Sequence, residues 1–319
     1  MKRLNNIFDL ITDFYNLKEA HRNASKGKGD YAEVIWVNEN VDLHIAKLQG
    51  QLIRGEFTTS EYTVMDRIEG GKRRMIHVLP YFPDRIVHHA IMQIVGSRWR
   101  KSLIRDTFQS LKGRGTSDAR RRVRKAITGD RPTYYLQMDI KKFYPSVSQA
   151  VSKSCVRRYI KCKQTLNLLD NIIESVLGLP IGNYLSQMLG NLVLSGVDWY
   201  AKQQLKAKHY FRYCDDIIVL SHCKLWLRSA MLRITRKVEE LGLEIKPTWL
   251  IQSLVKNGLD FCGYVFFLDQ LRLREGITLR YLAAVNKKLI KSINSYWGWI
   301  KPLNNLGLWQ PAKEVLQHA

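Results

Sequence analysis

Apolar residues recur through the first 60 positions at the spacing of an amphipathic helix. In two runs the apolar residues follow a period of about 3.6 residues. The first run is Ile7, Leu10, Ile11 and Phe14, and the second is Leu43, Ile45, Leu48 and Leu52. Between Tyr62 and Val78 the pattern changes to two strand-like segments around the turn sequence Glu-Gly-Gly-Lys at 69–72. The chain is therefore predicted to begin with helices and to continue with a β-hairpin.

Helices and short strands follow in mixed order. We predict helices at Asp84–Arg100, Ser146–Tyr159, Ser186–Leu205 and Leu225–Leu241, and helical structure over the last forty residues. We predict strands at Tyr134–Ile140, His209–Tyr213, Ile217–Ser221, Leu243–Ile251 and Phe261–Phe267. The strands at His209–Tyr213 and Ile217–Ser221 are expected to form a hairpin with acidic residues at its tip.

The charge of the chain narrows the class of partner. Its 319 residues include 51 Lys and Arg against 28 Asp and Glu, which gives a formal net charge of +23 at pH 7. This is too basic for an ordinary metabolic enzyme, whereas 45% hydrophobic residues suffice for a folded core. A phosphate-rich partner is indicated, with RNA or DNA ahead of an anionic membrane surface.

Cysteine spacing and hydropathy indicate a cytoplasmic protein without a membrane span. The five cysteines form no CxxC pair, so neither a disulfide framework nor a structural zinc site is expected. The N-terminal residues lack the apolar segment of a secretory signal. The uncharged stretch Ser175–Val197 is interrupted by Pro180 and several polar residues, which are costly to place in lipid.

Three carboxylates carry the candidate chemistry. Asp139 ends an apolar strand, and Asp215 and Asp216 lie in a hairpin turn. Aspartates are common in turns, so the pair alone has an ordinary backbone explanation. Clustered carboxylates repel one another unless a divalent cation lies between them, and two Mg²⁺ ions can activate a 3′-hydroxyl and stabilise a leaving pyrophosphate. In a strongly basic chain, this combination indicates nucleotidyl transfer.

Several motifs, in the right order, resemble those of reverse transcriptases. The Phe-Arg-Tyr-Cys-Asp-Asp sequence at 211–216 contains the Tyr-x-Asp-Asp box, and residues 139–146 resemble the first catalytic motif. Residues 178–187 resemble the third palm motif, and Phe261–Tyr264 resembles the primer-grip hairpin. Residues 72–76 and 84–89 resemble the fingers of bacterial and group II intron-like enzymes.

This resemblance implies an RNA-directed DNA polymerase of the α+β class. The expected right-hand polymerase fold has fingers, a palm of antiparallel sheet plus helices, and a short helical thumb. Residues 1–130 would form an N-terminal extension and fingers with part of the palm, 131–265 the palm with the catalytic motifs, and 266–319 the thumb.

The resemblance also assigns residues to roles. Asp139 and Asp215 would bind two Mg²⁺ ions directly, with Mn²⁺ as a substitute, and Asp216 and the backbone carbonyl of Ile140 would support them. The residues expected at the dNTP are Lys72 and Arg74 on the triphosphate, Tyr144 against a ribose 2′-hydroxyl, and Ile181 and Gly182. The residues expected on nucleic acid are Lys112, Arg114, Arg121, Arg124, Phe261, Gly263 and Tyr264.

Simpler explanations stay open for several of these residues. The hairpin with Lys72 and Arg74 and the basic run after Lys112 could be solvated surfaces, and Tyr144 could be a core aromatic. The adjacent His88 and His89 point in different directions on a helix, so packing is favoured over metal binding. The role of Lys246 is left open.

The third palm motif suggests a lineage. Most reverse transcriptases have Gln before the Gly, whereas this chain has Ile181 before Gly182, followed by Ser186-Gln187. This form resembles the enzymes of diversity-generating retroelements, which are bacterial or phage-encoded. The resemblance implies adenine-mutagenic cDNA synthesis from a template-repeat RNA, with a small, basic, oligomeric accessory protein. An alkyl side chain in place of an amide removes hydrogen bonds that could hold a base pair in register.

Three alternatives remain. Ile181 could mark the lineage without affecting fidelity. The chain could be a retron-like or phage-defence reverse transcriptase, although it lacks the C-terminal Val-Thr-Gly triplet that retron enzymes would have. It could also be a non-catalytic RNA-binding scaffold with a polymerase fold, which the three intact aspartates argue against.

Overall fold

The computed structural model describes residues 2–69, 72–303 and 306–317. The N-terminal region is helical as predicted, with α1 (Phe8–Thr12), α2 (Phe14–Ala24), α3 (Ala32–Glu39) and α4 (Val41–Ile53). Two of these helices begin at side-chain caps, since Asp13 accepts the Asn16 N–H and Asn40 accepts the Leu43 N–H.

The predicted hairpin follows these helices. Strands β1 (Thr63–Glu69) and β2 (Lys72–Val78) pair antiparallel in full register from Thr63 and Val78 to Glu69 and Lys72. The turn at residues 70–71 lies outside the described residues. A helical turn (Tyr81–Arg85) then leads into α5 (Ile86–Ser102), close to the predicted helix.

A five-stranded sheet forms the centre of the molecule. Its strands are β3 (Thr107–Phe108), β4 (Tyr134–Asp139), β5 (His209–Tyr213), β6 (Asp216–Ser221) and β7 (Leu250–Ser253), in the order β3-β5-β6-β4-β7. The pairing of β3 with β5 is parallel and the other pairings are antiparallel. The expected hairpin of β5 and β6 is therefore present, with the acidic residues at its turn.

Helices fill the connections between these strands. They are α6 (Thr116–Asp130), α7 (Phe143–Ser146), α8 (Gln149–Arg157), α9 (Lys163–Glu174), α10 (Tyr184–Gln203) and α11 (Lys224–Glu239). The helix predicted at 146–159 is confirmed as α8, although it begins at Gln149 because Ser148 caps it by accepting the Val151 N–H. Helix α9 was not predicted.

The C-terminal part contains a second sheet and three helices. Strands β8 (Leu259–Phe261), β9 (Tyr264–Phe266) and β10 (Leu271–Leu273) pair in the order β10-β9-β8, and α12 (Glu275–Asn286), α13 (Ile290–Ile300) and α14 (Leu306–Gln317) follow. The single strand predicted at 261–267 was wrong. Cys262 and Gly263 have φ of 51° and 84°, and this left-handed pair turns the chain between β8 and β9.

The strand predicted at 243–251 was also mostly wrong. Between Leu243 and Trp249 only Ile245 pairs, in an isolated bridge to Ile140, and the regular strand begins at Leu250. The bridge brings Lys246 beside Asp139, because the Lys246 N–H donates to the Asp139 carbonyl at 2.8 Å.

The central sheet is covered on both faces, which confirms the α+β class. One core includes Leu136, Met138 and Val219 with α10 and α11. The other includes Tyr135 and Phe211 with α6, the second sheet and the C-terminal helices. These alternating side chains show the two-residue period of a strand. None of the helices in the described parts of the chain is long and apolar enough to cross a bilayer.

Candidate active site

The three predicted carboxylates lie together at one end of the central sheet. Asp139 is the last residue of β4 and pairs across the ladder with Asp216, the first residue of β6. Asp215 lies in the tight turn that precedes Asp216, after Cys214, whose φ is +57°. The sequence therefore brings the three acids together through strand register and one turn.

Burial and mutual repulsion raise the pKa values of two of these carboxylates. Burial and the charge of Asp139 raise the pKa of Asp215. Burial, followed by the charges of Asp139 and Asp215, raises the pKa of Asp216 to about 7. Oδ2 of Asp139 is paired with Nζ of Lys246, whereas its Oδ1 is buried without a hydrogen-bond partner among the described residues.

The donor chemistry of this cluster fits a divalent cation. In the part of the chain that the structure describes, no three His, Cys, Asp or Glu side chains form a ready-made metal site. Among the described residues the buried Oδ1 of Asp139 nevertheless has no hydrogen-bond partner, and the anionic forms of Asp215 and Asp216 are disfavoured by burial and, to a smaller extent, by neighbouring carboxylates. Hard carboxylate oxygens are the ligands that Mg²⁺ takes in proteins. Ile140 follows Asp139 with a fully buried side chain.

Tyr144 lies beside the acidic turn. The Cys214 thiol donates a hydrogen bond to Oη of Tyr144 over 3.5 Å, and the half-buried ring packs against the larger core. Burial, with a smaller contribution from Cys214, raises the pKa of Tyr144. Its backbone carbonyl accepts the Leu179 N–H at 2.7 Å, which joins α7 to the following loop.

The loop at 178–183 is fixed between α7 and β2. Gly178 has φ of +78°, and a Cβ there would lie 2.7 Å from the Pro145 carbonyl oxygen. Gly182 has φ of +111°, and a Cβ there would lie 2.9 Å from the carbonyl oxygen of His77. The His77 N–H in turn donates to the carbonyl of half-buried Ile181 at 2.9 Å. Backbone contacts thus hold Ile181 and Gly182 against the hairpin.

Arg74 lies on the face of β2 that meets the loop at 178–183. Cγ2 of Ile76 would lie 3.1 Å from a Cβ on Gly182, so Ile76 faces the loop. Arg74 shares that face of β2, because side chains two residues apart on a strand point the same way. The side chain of Lys72 lies outside the described residues.

The basic run largely contacts the protein itself. Arg114 donates to the Ile104 carbonyl at 2.9 Å, and Arg121 pairs with Asp118 at 2.6 Å. Arg124 donates to four carbonyls of the turn between β9 and β10, those of Phe267, Leu268, Asp269 and Gln270. Lys112 is exposed. Of the four predicted phosphate-binding cations, Lys112 is thus the one that makes no side-chain hydrogen bond or ion pair within residues 2–69, 72–303 and 306–317.

The predicted primer-grip side chains lie in the smaller core. Phe261 is fully buried, and the Tyr264 hydroxyl donates to the Trp299 carbonyl at 3.1 Å. Trp299 covers Gly263, where an added Cβ would lie 2.5 Å from its ring. The side chains of Phe261 and Tyr264 therefore pack the interior of the smaller core.

Sequence reasoning missed the position of Lys246. The motifs at Asp139 and at 215–216 leave the role of this residue open. The bridge between Ile140 and Ile245 places Lys246 against Asp139. An apolar residue at 245 flanked by charged residues was the signal for a short pairing.

Comparisons with known proteins agree with the motif order. The family described as reverse transcriptase (RNA-dependent DNA polymerase) matches residues 67–266, more than half of the chain. The retron Ec73 reverse transcriptase of Escherichia coli is 27% identical over 180 residues, which cover 50% of this chain and 57% of that protein. The chain thus matches little more than half the length of this relative.

Solved structures were also compared. An apo telomerase from Candida tropicalis has a TM-score of 0.49 at 12% identity, and the match covers 66% of this chain and 48% of that one. The same telomerase truncated from its C-terminal domain has a TM-score of 0.49 at 13% identity, covering 68% and 55%. Reverse transcriptase domains generally use divalent metal ions.

Proposed function

This chain belongs to the reverse transcriptase (RNA-dependent DNA polymerase) family, and from that membership we propose that it copies RNA into DNA by nucleotidyl transfer. The observation that carries the proposal is the convergence of Asp139, Asp215 and Asp216 at one end of the sheet. We assign residues 1–130 to an N-terminal extension and fingers, 131–265 to the palm and 266–319 to the thumb.

We propose that the carboxylates hold two Mg²⁺ ions, for which Mn²⁺ can substitute. Asp139 and Asp215 would be direct ligands, with Asp216 and the Ile140 carbonyl in support. When bound, such ions activate a primer 3′-hydroxyl and stabilise the charge of the leaving pyrophosphate. Lys246 neutralises Asp139 in the structure and thereby limits repulsion among the acids.

The remaining side chains would bind and select the nucleotide. Arg74 and Lys72 suit a triphosphate, Arg by its planar fork and Lys by its point charge. Gly182 has no side chain and lets the backbone approach the nucleotide closely. Tyr144, held between the Cys214 thiol and the core, would exclude a ribose 2′-hydroxyl by its bulk.

A primer-extension assay tests the polymerase proposal. Purified chain with an RNA template, a DNA primer, dNTPs and Mg²⁺ is expected to extend the primer, and Asp215→Asn with Asp216→Asn is expected to abolish extension. Asp269→Asn is the matched control, because Asp269 is an exposed partner of Arg131. Full activity of the double variant would overturn the catalytic assignment of Asp215 and Asp216, whereas a wild-type chain that binds RNA but makes no DNA would support the RNA-binding scaffold.

We further propose that the template is the template-repeat RNA of a diversity-generating retroelement and that adenines are copied with frequent errors. Support comes from Ile181, which stands where most reverse transcriptases have Gln and therefore offers an alkyl group in place of a hydrogen-bonding amide. Its backbone carbonyl accepts the His77 N–H, which fixes its position next to Gly182. A small, basic, oligomeric accessory protein would join the complex. Two basic proteins repel, so the shared RNA would supply much of the attraction.

A second candidate is a retron-like enzyme, which the similarity to the retron Ec73 protein favours. Sequencing cDNA made with the template RNA, with and without the accessory protein, separates the two proposals. Errors concentrated at template adenines, and fewer of them in Ile181→Gln, would support the diversity-generating function. Accurate copying of all four bases would support the retron-like or phage-defence function.

The five cysteines are free thiols, which suits a reducing compartment. We therefore propose that the protein acts in the bacterial cytoplasm and is encoded by the cell or by a phage.

A further inference from the structure

A charged side chain is completely buried directly behind the acidic turn. Arg212 lies on β5, three residues before Asp215, and is 0% exposed. Its partner Asp198 on α10 is also 0% exposed. Buried charges are costly, and replacing a buried ion pair by apolar residues is often neutral or stabilising. The pair therefore calls for an explanation beyond stability.

The Asp198 carboxylate is fully used. It accepts two hydrogen bonds from Arg212, from Nε and Nη2, each at 2.7 Å. It also accepts the hydroxyl groups of Tyr210 at 2.8 Å and Thr107 at 3.0 Å. Burial alone would lower the pKa of Arg212, but the charge of Asp198 raises it above its usual value. The guanidinium is thus held by a rigid, bidentate anchor.

The rest of the guanidinium binds the turn and the helix. Nη1 donates to the Cys214 carbonyl at 2.7 Å and to Oδ1 of Asn191 at 3.1 Å, and Nη2 donates to the Asn191 carbonyl at 3.3 Å. Cys214 has φ of +57°, a left-handed conformation that is strained for a residue with a Cβ. The bond to its carbonyl holds this strained residue immediately before Asp215.

The same contacts link the turn to the nucleotide side of the site. Asn191 and Asp198 both lie on α10, which begins directly after the loop containing Ile181 and Gly182. That loop is fixed by the His77 N–H. Arg212 therefore connects the acidic turn with the helix that follows the loop.

We propose that Arg212 is a positioning residue that holds the Cys214 carbonyl and thereby places the Asp215 carboxylate relative to Asp139. The proposal rests on the polymerase function proposed above. A lysine could pair with Asp198 but lacks the planar fork that reaches the carboxylate, the turn and the helix together.

Three variants separate positioning from stability. Arg212→Lys keeps the charge but not the fork, and Arg212→Met leaves Asp198 buried and unpaired. Arg212→Met with Asp198→Asn removes both charges, and the new amide can accept from one of the Tyr210 and Thr107 hydroxyls through its oxygen and donate to the other through its NH2 group. We expect Arg212→Met to melt at the lowest temperature and the double variant to recover most of that loss.

Steady-state kinetics then decide the role. In Arg212→Lys and in the double variant, kcat is expected to fall about 10- to 100-fold, since a small misplacement of reacting groups has effects of this size. KM for dNTP is expected to change little, because the triphosphate contacts are untouched. Recovery of kcat in step with the melting temperature would overturn the proposal and leave Arg212 a merely structural residue.

Alkylation of Cys214 gives a readout that does not depend on polymerisation. Its half-buried thiol is bonded to Tyr144, so iodoacetamide labelling, resolved by peptide mass spectrometry, should be slow. We expect it to accelerate in the double variant, while buried Cys155 stays slow and exposed Cys223 stays fast.

The two readouts distinguish the two proposals. A wild-type chain that makes no DNA, together with faster Cys214 labelling in the double variant, would refute the polymerase function and retain the positioning of the turn. Unchanged labelling and unchanged kcat in the double variant would refute the positioning role in an active polymerase.

Discussion

Replacing Gly182 by alanine should displace the loop that carries Ile181. The new Cβ would lie 2.9 Å from the carbonyl oxygen of His77, and φ of +111° is strained for any residue with a side chain. The positive φ costs about 1–2 kcal/mol. Because the clashing atom is backbone, relief requires β2 and the loop to separate, which breaks the bond from the His77 N–H to Ile181 and costs about 1 kcal/mol more.

These two costs give a loss of about 2–3 kcal/mol in the free energy of unfolding. At about 2–4 °C for each kcal/mol in a large domain, the melting temperature should fall by about 4–12 °C. Differential scanning calorimetry measures this shift, and hydrogen exchange of the His77 amide reports the loop locally. In the extension assay, KM for dNTP should rise because Gly182 adjoins the proposed nucleotide site.

Gly196→Ala is the matched control. Gly196 lies within α10, and a Cβ there meets nothing within 4 Å. Alanine should stabilise this helix by up to about 1 kcal/mol. If Gly182→Ala keeps the wild-type melting temperature and the wild-type exchange rate at His77, the argument from backbone contact is refuted.

Further predictions concern acid stability, the basic run and sugar selection. Full burial, with smaller effects of His89 and Arg85, lowers the pKa of His88 to about 3, so the unfolded chain takes up a proton below pH ~6.5 that the folded chain does not. The contribution of His88 to the free energy of unfolding is therefore complete above that pH and is lost as the pH falls. Between pH 7 and 5.5, the free energy of unfolding measured in urea should fall by about 1 kcal/mol more for the wild type than for His88→Gln, and equal decreases would contradict this. Arg124→Gln should lower stability by about 1–3 kcal/mol because it frees four carbonyls, whereas Arg121→Gln, at an exposed pair, should change it by less than about 0.5 kcal/mol. Lys112→Gln should make the slope of log K against log salt concentration for RNA–DNA binding shallower by about one phosphate contact, as measured by fluorescence anisotropy titration. An unchanged slope would show that Lys112 is not in the interface. Tyr144→Ala should lower the preference for dNTP over rNTP in kcat/KM at least about tenfold, while Tyr144→Phe, which keeps the bulk, should preserve it; equal selectivity in all three proteins would exclude the steric role.

The carboxylate cluster could be predicted because local rules determine it. An apolar strand ending at Asp139 and two strands flanking Asp215 fix where these acids lie once the strands pair in register. The family motifs named the same residues. Short stretches of sequence are enough to predict both the strand pairing and the order of the motifs.

The contacts of the basic run could not be predicted in this way. The sequence shows a dense group of arginines but not that Arg124 reaches carbonyls more than 140 positions away, at 267–270. Arg212 and Asp198 likewise look like ordinary surface charges until β5 packs on α10. Burial of Phe261 and Tyr264 depends on the C-terminal helices, whose packing is tertiary.

The smaller core has a consequence for how this chain can be divided. Trp299 of α13 covers Gly263, its carbonyl accepts the Tyr264 hydroxyl, and Tyr281 of α12 is fully buried in the same core. A cut after Phe266 would therefore strip the cover from a hydrophobic surface that belongs to the centre of the molecule. The expected product is an aggregating fragment, and the C-terminal helices cannot be exchanged between enzymes as an independent module.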